Sequence, residues 1–199
     1  MRLVVVSAGL SVPSSTRLLA DRLAAATGRQ LDVDVEVVEL RELAVEIAQN
    51  LTNGFPGRRL AAAIDAVTSA DGLIVVTPVF SASYSGLFKS FFDVIDKDAL
   101  TGMPVLIAAT GGTARHSLVL DHALRPLFAH LRAVVVPTGV YAASEDWGAE
   151  GLDRRIERAA GELAALMRGL SATRRPAPDA FTVVPFAEQL AAVTEGSAN

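Results

Sequence analysis

The sequence predicts a three-layer α/β sandwich in which a five-stranded parallel sheet carries helices on both faces. Two observations carry that expectation. Four short runs are apolar without alternation and rich in β-branched residues, as strands covered on both faces must be, and one-sided amphipathic stretches separate them. Taken in order, residues 3–7 form the first buried strand. Residues 15–26 form a helix whose Leu18, Leu19, Leu23 and Ala26 make an apolar stripe. Residues 33–40 alternate Val with Asp34, Glu36 and Glu39, the pattern of a half-exposed edge strand. A helix over 57–69, a buried strand over 72–77 and a helix over 87–95 follow. Then come a buried strand over 104–110, a helix over 117–131, a strand over 134–138 and a helix over 152–167.

Strict alternation of strand and helix implies right-handed crossovers and, with one charged edge strand, the 2-1-3-4-5 order of flavodoxin-like sheets. Residues 1–170 are expected to form that domain. Beyond it, Arg174-Arg175-Pro176-Ala177-Pro178 reads as a stiff linker within a segment 171–199. The end of that segment regains apolar character (Phe181, Val183, Val184, Phe186) and reads as an arm that docks on its own domain or on a neighbouring subunit.

Composition narrows the function. The chain has no cysteine and three histidines, which excludes thiolate chemistry and Cys-rich metal sites; no metal is expected. Its net charge of −4, with the signs interspersed, argues against a nucleic-acid surface. No apolar run approaches the ~18 residues of a membrane helix, and the N-terminus lacks the basic head of a signal peptide, so a cytoplasmic protein is expected.

In sheets of this order ligands sit beyond the carboxyl ends of the strands, at the switch point between the first and third. Three loops meet there. The first, Ser7 to Arg17, runs into the first helix, where free amides and the helix dipole favour an anion. It holds Gly9 and four hydroxyls, Ser11, Ser14, Ser15 and Thr16; Ser14 or Ser15 alone would be an ordinary helix cap. Neither G-x-x-x-x-G-K-[ST] nor G-x-G-x-x-G is present, so the expected guest is a monophosphate. The second loop, Thr77 to Gly86, offers a Pro-containing turn for a flat heterocycle, with Phe80 or Tyr84 to cover an edge and Ser85 as a helix cap. The third, Thr110-Gly111-Gly112-Thr113, sets two glycines where a backbone approaches something closely or turns sharply.

The run Ala70-Asp71-Gly72-Leu73-Ile74-Val75-Val76-Thr77-Pro78-Val79-Phe80, followed by Tyr84-Ser85-Gly86-Leu87-Phe88-Lys89, resembles the NADPH-dependent FMN reductase family. So do Ala109-Thr110-Gly111-Gly112-Thr113 and Ala123-Leu124-Arg125-Pro126. The likeness covers residues 2–168 and is strongest to the subgroup serving luciferase-like and alkanesulfonate-type flavin monooxygenases. It implies FMN as cofactor or diffusible substrate, NADPH or NADH as reductant, and a homodimer or homotetramer. It implies that Ser11, Ser14, Ser15 and Thr16 meet the FMN phosphate. Pro78, Val79, Phe80, Ser83, Tyr84 and Ser85 would border the isoalloxazine, and Thr110, Gly111, Gly112 and Thr113 would close over it. Many members carry Gly-Ser-x-Arg in the first loop; here Gly9 precedes Leu10-Ser11-Val12, so the phosphate meets either Arg17 or no arginine.

Flavin reduction requires no protein nucleophile, and no catalytic side chain is assigned. Arg115 either pairs with a nicotinamide-nucleotide phosphate or stands solvated at a helix start. Pro126 should widen or kink the helix around His122. Family members use that helix for subunit contacts, so His122 is expected at an interface, against a plain helix irregularity. His116 and His130 read as surface residues. Trp147 either covers the flavin or packs at an interface. The leading reading is an NAD(P)H-dependent FMN reductase that supplies a two-component monooxygenase. The alternatives are an FMN-retaining quinone, azo or metal-oxyanion reductase, or a flavodoxin-like electron carrier. A phospho-receiver is excluded, because Ser7 and Thr77, not aspartates, end the first and third strands.

Overall fold

The computed structural model describes residues 1–170; the expected linker and arm over 171–199 lie outside the described residues. The strands are β1 (Arg2–Ser7), β2 (Asp34–Glu39), β3 (Gly72–Phe80), β4 (Ser83–Tyr84), β5 (Pro104–Gly111), β6 (Val134–Val135) and β7 (Val140–Ala143). The helices are α1 (Ser15–Gln30), α2 (Ala44–Asn53), α3 (Arg58–Ser69), α4 (Gly86–Asp93), α5 (Arg125–His130) and α6 (Glu150–Leu170). The sheet runs β2-β1-β3-β5-β6, and β7 pairs with the far half of β5. Counted by position in the sheet, this is the expected flavodoxin-like order, with every main pairing parallel.

The apolar strands are continuous because each alternate side chain faces a different helical layer. Leu3, Val5, Ile74, Val76, Leu106 and Ala108 pack with Leu19 and Leu23 of α1 and with Ile156 and Leu163 of α6. Val4, Val6, Leu73, Val75 and Ile107 turn to the opposite layer, against Leu60 and Val67 of α3. A phenylalanine cluster anchors that second layer: Phe92 lies between Phe88 and Phe128, with ring centroids 4.8 and 4.9 Å away. This two-sided core fixes the strand ends from which the loops spring.

Three expectations are corrected. The strand read over 134–138 is split, because residues 136–139 lie opposite only 106–107 of β5. Pro137 has no N–H for the ladder. Arg125 donates to the carbonyls of Val136 and Pro137, and Glu162 accepts from the Thr138 amide and hydroxyl, so the break is satisfied by side chains. A helix not anticipated, α2, sits between β2 and α3. The strand expected to stop at residue 77 continues to Phe80 and folds back as a hairpin with β4. Its two-residue turn, Ser81-Ala82, has φ of 49° and 64°. Such turns match the strand twist but cost non-glycine residues about 1 kcal/mol each. The helix read over 117–131 widens around His122 as expected: a π turn over Leu120–Leu124 precedes α5. The Arg125 amide reaches back to the Leu120 carbonyl. Pro126, which cannot donate to the carbonyl of His122, explains the widening.

Candidate functional site

The carboxyl ends of β1, β3 and β5 open into a cleft of about 440 Å³. One wall is the first loop with the start of α1, through Leu10, Ser11, Ser14, Ser15 and Thr16. A second is the end of β3, through Pro78, Val79 and Phe80. The third is Thr110, Gly111 and Gly112, with Ser144 from the turn after β7. No lining side chain carries a charge.

The hydroxyls of the first loop differ in what they have left to offer. Ser11 donates to the Pro13 carbonyl at 2.9 Å, and Thr16 shares a buried 2.8 Å bond with the Thr110 hydroxyl. Ser14 caps α1 by accepting from the Arg17 amide, which leaves its own proton to give. Ser15 is exposed, and among the described residues its hydroxyl has no hydrogen-bond partner. The first-turn amides of α1 have no intrahelical acceptor, so an anion beside Ser14 and Ser15 would meet amides, hydroxyl protons and the positive helix end. Arg17 is not available to it. Its guanidinium donates to Asp21 at 2.7 Å and to Glu39 at 2.6 Å, and these bonds, Glu39 first, raise its pKa further.

The third loop is shaped from below by a residue the sequence did not single out. Tyr141 of β7 donates its phenol to the Thr113 carbonyl at 2.8 Å. A Cβ on Gly111 would stand 2.1 Å from that phenol oxygen, so glycine is what lets the strand end pass over it. Burial, then the charges of Asp146 and Glu145, push the phenol above its usual pKa and keep it a donor. Burial opposes the Asp146 charge, yet the Ala143 amide and Arg155 hold its carboxyl below the usual range. Around Gly112 a Cβ would meet nothing within 4 Å, so space is left open on the cleft side of the turn.

Other expected residues stand behind or beside this cleft. Gly9 packs against Ser14, where a Cβ would lie 2.1 Å from the hydroxyl oxygen. Ser85 is buried as the cap of α4: its hydroxyl accepts from Phe88 and its amide donates to Thr77. Tyr84 leans on Phe88 at 5.9 Å, and the Thr113 hydroxyl accepts from the Arg115 amide. Trp147 packs on the α1–α6 layer with Arg22 over its ring at 5.9 Å. A second cleft of about 360 Å³ lies across the β3–β4 hairpin. It brings Ser83 and Arg115 together with His116, Leu118 and His122, the residue expected at a subunit contact. Among the described residues no group of three His, Cys, Asp or Glu is placed to hold a metal, and no helix is long and apolar enough to cross a membrane.

The family model for NADPH-dependent FMN reductases matches residues 1–148. The chain belongs to that family. Its similarity to an FMN reductase (NADPH) of Pseudomonas aeruginosa is 44% identity over 175 residues, covering 85% of this chain and 94% of the relative. An NADH-dependent FMN reductase, SfnF, of Pseudomonas fluorescens is 41% identical over 171 residues, covering 83% and 91%. Among solved structures, an oxidoreductase from Corynebacterium diphtheriae superposes with a TM-score of 0.81 at 52% identity, covering 84% of this chain and 97% of that one. The FMN reductase family match spans all three loops of the first cleft.

Proposed function

We propose that this chain is an NAD(P)H:FMN oxidoreductase acting in the cytoplasm and delivering reduced FMN to a separate flavin-dependent monooxygenase. Family membership supports the reductase activity. The observation that carries the delivery role is the uncharged cleft: its phosphate end offers amides and the Ser14 and Ser15 hydroxyls, while Arg17 is committed to Glu39 and Asp21. A dianion held by amides and hydroxyl protons, with no ion pair to break, suits a flavin that departs after each turnover.

Flavin supplies the redox chemistry, accepting hydride from nicotinamide C4 at N5. The chain's part is to hold and polarise. Pro78, Val79 and Phe80 offer an apolar edge for the ring system, and the open side of Gly112 leaves room for it. Amides near Gly111 and Gly112 are the donors for the N1–C2=O edge, where negative charge grows during reduction. No side chain need move a proton, and correct stacking of the two rings carries the rate. A homodimer or homotetramer is part of the same proposal and is read by sedimentation or size exclusion.

The test is a steady-state assay with FMN varied against NADPH and NADH, run beside purification of the protein. The delivery role predicts a colourless preparation whose activity saturates with added FMN. A yellow protein whose rate ignores added FMN would overturn it in favour of a bound prosthetic group.

A further inference from the structure

We infer that Thr16 and Thr110 form one donor chain to the flavin phosphate, which makes Thr110 a positioning residue: filling the phosphate end of the cleft sets the third loop against the flavin ring. The inference rests on the FMN-reductase reading above. The two hydroxyl oxygens lie 2.8 Å apart, either can be the donor, and both residues line the first cleft. Both are otherwise shut away from solvent, Thr16 being 3% and Thr110 4% exposed.

The pair is one acceptor short. Two hydroxyls bring two protons, and their shared bond uses one. Neither oxygen has a second hydrogen bond among the described residues. Hydroxyls elsewhere in the chain find an outlet: Thr27 donates to the Leu23 carbonyl, Ser69 to that of Asp65, Thr77 to that of Pro78, and Thr138 to the Glu162 carboxylate. Thr16 has no helical carbonyl to use, because the residue four back, Val12, precedes α1. The spare proton therefore stands at the cleft wall, beside first-turn amides that also lack an intrahelical acceptor. An anion oxygen is the partner this arrangement is missing.

Once a phosphate oxygen takes the proton of Thr16, Thr16 must accept from Thr110, and the two bonds polarise each other in one direction. Riboflavin, which lacks the phosphate, leaves the direction of the shared bond open. Thr110 stands directly before Gly111 and is held in register between Pro78 of β3 and Ala142 of β7. A pull on its side chain reaches the Gly111 and Gly112 amides, the proposed donors for the N1–C2=O edge, within two backbone units. Binding energy from a remote part of the substrate is thereby used where charge develops, which raises kcat and not affinity alone.

The experiment compares wild type with Thr110→Val, Thr110→Ser, Thr16→Val and Thr16→Val/Thr110→Val. Each is titrated with FMN and with riboflavin, assayed for kcat and KM, and followed by amide hydrogen exchange over residues 108–116 at matched flavin occupancy. In wild type, FMN should slow exchange at Gly111 and Gly112 more than riboflavin does, and Thr110→Val should erase that difference. Valine keeps the side-chain shape and suits a strand while removing the donor. Thr110→Val should lower kcat with FMN about tenfold, the size of one charge-assisted contact, while kcat/KM for riboflavin stays within about twofold of wild type. Thr110→Ser should restore most of the rate. The double variant should be no worse than the poorer single one, because both residues act through one chain. Equal protection by the two flavins in wild type, parallel losses with both flavins in Thr110→Val, or a raised Kd for FMN with kcat unchanged overturns the inference. If wild type neither binds nor reduces FMN, the reductase reading falls and the inference with it.

Discussion

The cleft at the tips of β1, β3 and β5 contains no charged side chain, whereas its neighbour across the β3–β4 hairpin collects Arg115, His116 and His122 without an acid. The two clefts treat negative charge in opposite ways. In the first, the nearby arginine is withdrawn into ion pairs, and binding falls to amides, hydroxyl protons and shape. In the second, an arginine is left unneutralised at an exposed surface. Holding an anion in the first would depend on backbone geometry, and in the second on charge.

The substitution with the largest expected effect attacks the geometry. In Gly111→Ala, either Tyr141 withdraws from Thr113 or the end of β5 shifts, because the new methyl would sit 2.1 Å from the phenol oxygen. FMN affinity should fall about tenfold or more, and urea unfolding should show a loss of about 1–3 kcal/mol. A Gly111→Ala variant that binds FMN as wild type does would break the claim that backbone geometry governs the first cleft. Tyr141→Phe is milder. It removes one donor, worth about 0.5–1.5 kcal/mol, from a turn that borders both clefts, so KM should rise severalfold for FMN and for the nicotinamide together.

Ionic strength sharpens the contrast without any mutation. Raising the salt should move the KM for FMN by less than about twofold, since no charged side chain lines its cleft and hydrogen bonds from amides are screened little. A steep salt dependence would mean that a cation holds the phosphate. The smallest effect is expected of Arg17→Ala: its ion pairs with Glu39 and Asp21 are partly exposed and worth under about 1 kcal/mol, and KM for FMN should move by less than about twofold. A large loss of flavin affinity in that variant would mean that Arg17 leaves its carboxylates for the phosphate.

Much of this architecture was legible because local and global signals agree. The runs over β1, β3 and β5 had to be covered on both faces, Ser14 and Ser85 stand where helices need caps, and Pro126 forecast the wide turn that carries His122. The sequence concealed α2 for a physical reason. Among its ten residues only Ile47 and Asn50 are buried, so no continuous apolar stripe marks the side that packs. The split between β6 and β7 was hidden because a β-branched run looks continuous until Pro137 is weighed against the ladder. That three loops meet at the strand ends followed from topology, but how their hydroxyls are used did not. Thr16 meets Thr110 across 94 residues, and Tyr141 reaches Thr113 from a strand whose register no local pattern gives. Tyr84 and Ser85, read as flavin neighbours, also serve the hairpin and the cap of α4.

The wall between the clefts is thin: a four-residue hairpin turn, with Ser81 and Ala82 in left-handed backbone, and a short run past Gly112. Strain or ordering imposed on so slight a partition from one side is felt on the other, and any coupling this gave between two ligands would be mutual and equal in magnitude.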